Sequence, residues 1–161
     1  MLIGIITDTH ENMDKIRKAV KILNERKVDI VLHCGDIISP ITFKEFKNLN
    51  CGIEFVFGNN DGERVFLVEK FKNKGRFHPP GYEFELDGKK FIMMHEPVGI
   101  EALAESGKYD YIIYGHTHKQ DLRKIGKGMI INIGETGGWI TGKCTIGILN
   151  PRTNELEILE I

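Results

Sequence analysis

Seven side chains able to bind a metal ion recur along this chain in one kind of local setting. Asp8 and His10 follow the apolar run Gly4–Thr7, and Asp36 follows Ile30–Cys34 and Gly35. Asn59 follows Phe55–Phe57 and Gly58, His95 follows Phe91–Met94, and His116 and His118 follow Tyr111–Tyr114 and Gly115. Five apolar strands would thus each end in a potential ligand. Seven ligands exceed the four or so of a zinc site. They suit two adjacent divalent ions with one bridging carboxylate. Mixed carboxylate, amide and imidazole donors favour Mn, Fe, Ni, Co or Zn over Mg or Ca, which prefer oxygen shells. Two such ions about 3.5–4 Å apart activate a water and clamp the attacking and leaving oxygens of phosphoryl transfer. If the five strands share one edge, their carboxyl ends are where an open α/β sheet binds its ligand.

The elements that must position these residues are legible in the first half. Leu2–Ile6, Asp29–His33 and Ile53–Phe57 read as strands, the first continuously apolar as expected for burial on both faces. Between them Ile16, Ala19, Val20 and Leu23 form a helical stripe within residues 12–26. Pro40–Leu49 reads as a helix with Pro in its first turn, and Glu63–Lys72 as another. Alternating strands and helices imply βαβ units and a mainly parallel sheet. After the His78–Gly81 turn cluster, Asp87-Gly88 signals a hairpin joining Tyr82–Leu86 to Lys90–Met94. A helix over Pro97–Ser106 and a strand over Tyr109–Tyr114 follow, and residues 121–161 read as short strands with glycine or proline turns. The expectation is a single α/β domain over residues 1–161.

Composition bounds the partners. Lys plus Arg number 22 against 23 Asp plus Glu, a net charge of -1. That balance gives no basic footprint for nucleic acid. The chain has no apolar run near the about 20 residues of a membrane span, and the N-terminal apolar run is too short for a signal peptide. Cys34, Cys51 and Cys144 form no paired motif. The expected compartment is the cytoplasm.

The series Asp8-x-His10, Gly35-Asp36, Gly58-Asn59, His95 and Gly115-His116-x-His118 resembles, in order, the motifs of the calcineurin-like metallophosphoesterases. Small size and Gly-Asn-Asn-Asp at residues 58–61 are similar to the small archaeal and bacterial phosphodiesterase branch. The resemblance implies a four-layer αββα sandwich of two mixed sheets flanked by helices, with a dinuclear centre often holding Mn or Ni. By resemblance, Asp8, His10, Asp36 and His118 hold one ion. Asp36 as bridge, Asn59, His95 and His116 hold the other. The implied reaction is hydrolysis of a small phosphate ester, most readily a diester, by in-line attack of a metal-bridging hydroxide. Competing readings are a non-catalytic interaction module, as the retromer scaffold subunit of this fold is, and a metal-dependent nuclease. Relatives are often dimers, so a homo-oligomer is compatible.

Two positions depart from larger relatives. Asn60 stands where a histidine is common, and an amide donates a hydrogen bond but no proton near neutral pH. Asn60 and Asp36 are the candidate catalytic residues. Glu96 follows His95 and could narrow substrate choice, act as an acid, or point away. Asn60, Glu96 and Arg64 are candidate substrate contacts, though Arg64 also fits a solvated helix face. His33 reads as a packed histidine bonded to backbone and His78 as a surface residue; Asp61 could orient Asn60 or cap the helix that follows, its N-terminal position favouring the cap. Asn132–Trp139 resembles the family's late glycine-containing segment, lining the pocket or serving as a turn.

Overall fold

The computed structural model describes residues 1–161. The chain runs β1 (Ile3–Ile6), α1 (Met13–Glu25), β2 (Ile30–His33), a 3-10 turn (Pro40–Thr42), α2 (Phe43–Phe46), β3 (Gly52–Val56), α3 (Arg64–Phe71) and β4 (Gly75–His78). It continues through β5 (Tyr82–Leu86), β6 (Lys89–Met93), α4 (Ile100–Glu105), β7 (Tyr111–Ile113), β8 (Gln120–Ile125), β9 (Gly128–Ile133), β10 (Thr145–Asn150) and β11 (Glu155–Glu160). No helix is long and apolar enough to cross a membrane.

The strands form two mixed sheets, ordered β11-β10-β1-β2-β3-β4 and β5-β6-β7-β9-β8. β1 to β4 pair in parallel, whereas β10 enters antiparallel beside β1. In the second sheet β6, β7 and β9 are parallel, with β5 and β8 antiparallel at the edges. The strand–helix alternation of the first half accounts for the parallel strands β1 to β4, and the two mixed sheets are those the family resemblance implies. Ligand-bearing strands β1, β2 and β3 belong to one sheet and β6 and β7 to the other. The five strands share one end of a sandwich rather than one edge.

Apolar packing accounts for the layers. Ile3, Ile5, Leu32 and Val56 of the first sheet meet Phe91, Met93, Ile113 and Ile131 of the second in one buried cluster. On the outer face of the first sheet, Val31, Ile53 and Phe55 pack on Ile16, Ala19 and Leu23 of α1, Phe46 of α2, and Leu67 and Phe71 of α3. Ile100 and Ala104 of α4 cover Ile92, Ile112 and Ile130 outside the second sheet. At about 25 cal/mol per Å² of apolar surface, such continuous burial on both faces dominates the fold's stability.

Local signals fare unevenly. Asn12 caps α1 by accepting from the Lys15 amide. Asp87 and Gly88, at φ 52° and 73°, form the turn with two positive φ values that suits a two-residue hairpin. The helix expected over Pro40–Leu49 is a 3-10 turn followed by the single turn of α2. It unwinds because the amides of Asn48 and Leu49 shift to i−3 carbonyls, those of Glu45 and Phe46. β4 is a short, half-covered edge strand whose Gly-Arg-Phe-His sequence carries little periodic signal.

Candidate metal centre

The ligand-bearing segments leave their strands in loops that backbone hydrogen bonds tie to one another. Asp8, His10, Asp36, His116 and His118 all have φ between 41° and 67°. Non-glycine residues pay for this left-handed conformation, and such strain gathers at functional sites where surrounding contacts enforce it. Here the Asp8 and His10 amides donate to the carbonyls of Gly35 and Asp36, both at 3.0 Å, and the His116 amide donates to Asp8 Oδ2 at 3.0 Å. Two glycines are required by close approach. A Cβ on Gly58 would lie 2.1 Å from Asp36 Oδ1, and one on Gly115 would lie 2.0 Å from Thr7 Oγ1.

All seven predicted ligands meet. His10 Nε2 lies 3.7 Å from Asp8 Oδ1 and 3.5 Å from Asp36 Oδ2, and His118 Nε2 lies 3.5 Å from Asp8 Oδ1. His95 Nε2 lies 3.4 Å from Asp36 Oδ2. Asn59 Oδ1 is 3.0 Å from both His95 Nε2 and His116 Nδ1. The His10 and His118 rings stack with centroids 5.3 Å apart. Candidate ligand atoms of Asp8, His10 and His118, and of Asp8, Asp36 and His95, form two compact groups.

The donor set fits metal ions on its own chemistry. Asp8 Oδ1 and His10 Nε2 are buried without a hydrogen-bond partner. His95 Nδ1 lies 2.8 Å from the Cys34 carbonyl, which only accepts, so Nδ1 carries the proton. With Nδ1 so engaged, Nε2 is the nitrogen facing the oxygens of Asp36 and Asn59, able to hold a proton toward Asp36 or, once a cation displaces that proton, to offer its lone pair. His118 behaves likewise, its Nδ1 lying 3.0 Å from Glu135 Oε2 while its Nε2 faces Asp8. Ligand atoms bound at about 2.1 Å to one ion sit roughly 3.0–3.5 Å apart, and the separations here, 3.4 to 3.7 Å, are close to that. The unpartnered Asp8 Oδ1, faced by the Nε2 atoms of His10 and His118, is what a cation would relieve.

The ionisation pattern agrees. Burial pushes the Asp36 carboxyl up, but hydrogen bonds from His95 and Asn60 outweigh it and hold Asp36 well below the usual carboxylate range. The Asp8 carboxylate beside His10 raises that imidazole against its partial burial. Burial lowers His95, yet the Asp36 and Asp8 carboxylates raise it overall. Anionic carboxylates pulling protons onto imidazoles mark a site that asks for positive charge.

A model of the calcineurin-like phosphoesterase superfamily domain matches residues 1–154. The chain belongs to this superfamily. Within it, phosphodiesterase MJ0936 of Methanocaldococcus jannaschii is 42% identical over 159 residues, covering 96% of each chain. The solved structure of an archaeal phosphodiesterase superposes with a TM-score of 0.94 at 40% identity, covering 100% of both chains. Vps29 from Entamoeba histolytica shares the fold with a TM-score of 0.73 at 17% identity, covering 100% of this chain and 99% of its own.

In this calcineurin-like domain the remaining predicted residues take definite places. Asn60 is tied to Asp36, its amide donating to Oδ1 at 2.9 Å and its Nδ2 to Oδ2 at 2.8 Å. Arg64 donates to the carbonyls of Gly58 and Asp61 and lies over the Phe57 ring. Glu96 is exposed on the wall of a cavity shared with Asn59, Arg64 and His95. Three expectations are corrected. Asp61 does not cap α3; it accepts the amides of Gly58, Asp36 and Ile38 and so stitches two ligand loops together. His33 is buried as expected, but its partner is the Thr9 hydroxyl rather than backbone. His78 is half-buried on the edge strand rather than free in solvent, because it bonds Glu54 at 2.6 Å and stacks on Tyr82.

Glu135 was missed. It is buried, holds His118, and receives the amides of Ile140 and Thr141 and the Thr141 hydroxyl. Burial raises its carboxyl, but the Thr141 and His118 bonds bring it below its ordinary value. Its sequence signal was only its position in the glycine-containing Asn132–Trp139 segment, which the structure docks on the first ligand loop. The Gly137 amide donates to the Asp8 carbonyl and the Trp139 indole to the His10 carbonyl.

Proposed function

We propose that this protein, one domain over residues 1–161, is a metal-dependent phosphoesterase acting on small phosphodiesters. The observation that carries the reading is the convergence of all seven ligands around the unpartnered Asp8 Oδ1 and His10 Nε2. Family membership and the resemblance to an archaeal phosphodiesterase support it. Asp8, His10, Asp36 and His118 would hold one divalent ion. Asn59, His95 and His116 would hold a second, with Asp36 between them. When bound, such ions supply Lewis acidity and a water of lowered pKa. The donor set suits Mn or Ni, and also Fe, Co or Zn.

The chain's own residues do the positioning. Glu135 and the Cys34 carbonyl fix His118 and His95 as Nε2 donors. Asn60 holds both oxygens of Asp36, so that carboxylate cannot rotate. The same amide offers a hydrogen bond but no proton to a departing oxygen. The site therefore favours esters whose leaving group departs without a general acid at this position. Near-neutral overall charge, at -1, supports a small substrate over a nucleic-acid backbone, and a cytoplasmic setting is part of the proposal.

The test is hydrolysis of bis(4-nitrophenyl) phosphate by chelator-treated protein reconstituted with Mn or Ni. Turnover should return with metal and vanish in Asp36→Ala. Retention of full turnover in that variant would sink the reading.

A further inference from the structure

A cavity of about 430 Å³ opens directly beside the metal centre. Asn59 and His95 belong to both, so the cavity adjoins the place where the proposed metals would hold a phosphate. Its volume lies in the range of pockets that enclose small organic ligands. Phe57, Ile92, Met94, Val98 and Leu103 supply apolar wall. Phe57 is braced from behind by the stacked Phe77 at 4.9 Å, so the wall is stiff. An aromatic edge beside a thioether is a favourable surface for a flat ring.

The charge on the rim is asymmetric. Arg64 is held in place by donating to the Gly58 and Asp61 carbonyls and lies 4.8 Å from the Phe57 ring centroid. The Glu96 carboxylate makes no hydrogen bond or ion pair. Arg64 keeps its positive charge beside Gly58 and Phe57, while the wall next to His95 carries the unpaired negative charge of Glu96.

We propose that this cavity receives one ester arm of the substrate, an uncharged aromatic group, and that Glu96 turns away arms carrying an additional anion. The inference rests on the phosphodiesterase reading and names its substrate class. An apolar arm gains by leaving water against these walls. A second carboxylate or phosphate on the arm would be brought against the like charge of Glu96 on the cavity wall.

The test uses Mn-loaded protein and three alkyl diesters with poor leaving groups: dimethyl phosphate, methyl benzyl phosphate and methyl 4-carboxybenzyl phosphate. Dissociation constants are read by calorimetry. Methyl benzyl phosphate should bind about tenfold more tightly than dimethyl phosphate, and the carboxylated ligand should lose that advantage. Glu96→Gln should restore most of it. Val98→Asp, at an exposed wall position, should abolish the benzyl preference. Equal constants for the benzyl and dimethyl ligands, no binding of any of the three, or an unchanged carboxylate penalty in Glu96→Gln would overturn the proposal. The two readings separate cleanly. Turnover of bis(4-nitrophenyl) phosphate without a benzyl preference removes the pocket and keeps the activity. A benzyl preference without turnover keeps the pocket and removes the activity.

Discussion

Glu135 Oε2 lies 3.0 Å from His118 Nδ1, while the opposite nitrogen of the same ring faces Asp8 Oδ1 at 3.5 Å. A buried carboxylate behind a ligand histidine fixes its tautomer and aims its lone pair. Losing such a partner typically costs about 10–100-fold in metal affinity. Glu135→Gln should weaken Mn binding by that order in calorimetric titration, with the fold retained by circular dichroism. Unchanged affinity would show that Glu135 only holds the turn at Thr141.

Asn60 governs the leaving group. Asn60→His places a titratable donor where the amide now sits, and general-acid assistance is typically worth about 10²–10⁴-fold. The variant should gain on esters with alkyl leaving groups while changing little on 4-nitrophenyl esters. Steady-state rates across a leaving-group series read this directly, and a flat ratio between the two ester classes defeats the argument.

Gly115 leaves room for one hydrogen. Gly115→Ala would push a methyl into Thr7 Oγ1 and to within 2.7 Å of Asp8 Oδ2. Overpacking of this kind costs roughly 1–3 kcal/mol, and it displaces the carboxylate that the His116 amide holds. Urea unfolding should report the lost stability and titration the lost metal affinity. A fully stable, metal-competent variant would contradict the close approach.

His33 makes stability pH-dependent. Burial lowers its imidazole from 6.5 to about 3. The unfolded chain therefore takes up a proton as pH falls below about 6.5, while the folded chain stays neutral until about 3. Within that window the unfolded state binds more protons, so this residue's contribution falls with acidification by up to about 1.4 kcal/mol per pH unit. The stability difference between wild type and His33→Leu, measured in urea with metal removed, should shift against wild type as pH drops from 6.5. A pH-independent difference would show that His33 is protonated in the folded state.

Much of the site was legible because its signals are local. A metal ligand immediately after an apolar run needs only a few residues to be seen, and Asp8, Asp36, Asn59, His95 and His116 all have that form. The Asp87-Gly88 hairpin and the Asn12 cap are equally local. Asp61 was misread because an acidic residue before a helix ordinarily caps it. Here three unpaired loop amides, those of Gly58, Asp36 and Ile38, claim its oxygens first. His78 was misread because its partners, Glu54 and Tyr82, lie on two different strands.

By itself, the sequence determined which atoms are available for chemistry, that each follows a strand, and that their types suit divalent metals. Tertiary structure decided that the strands belong to two sheets and that the ends of β1, β2 and β3 meet those of β6 and β7. It also decided which nitrogen of His95 and of His118 faces the site, since Cys34 and Glu135 hold the others. The physical reason is range. Periodicity and turn preference are written in neighbouring residues, whereas sheet membership and histidine orientation come from contacts such as Ile3 with Leu149 and His118 with Glu135, which exist only once the core has closed.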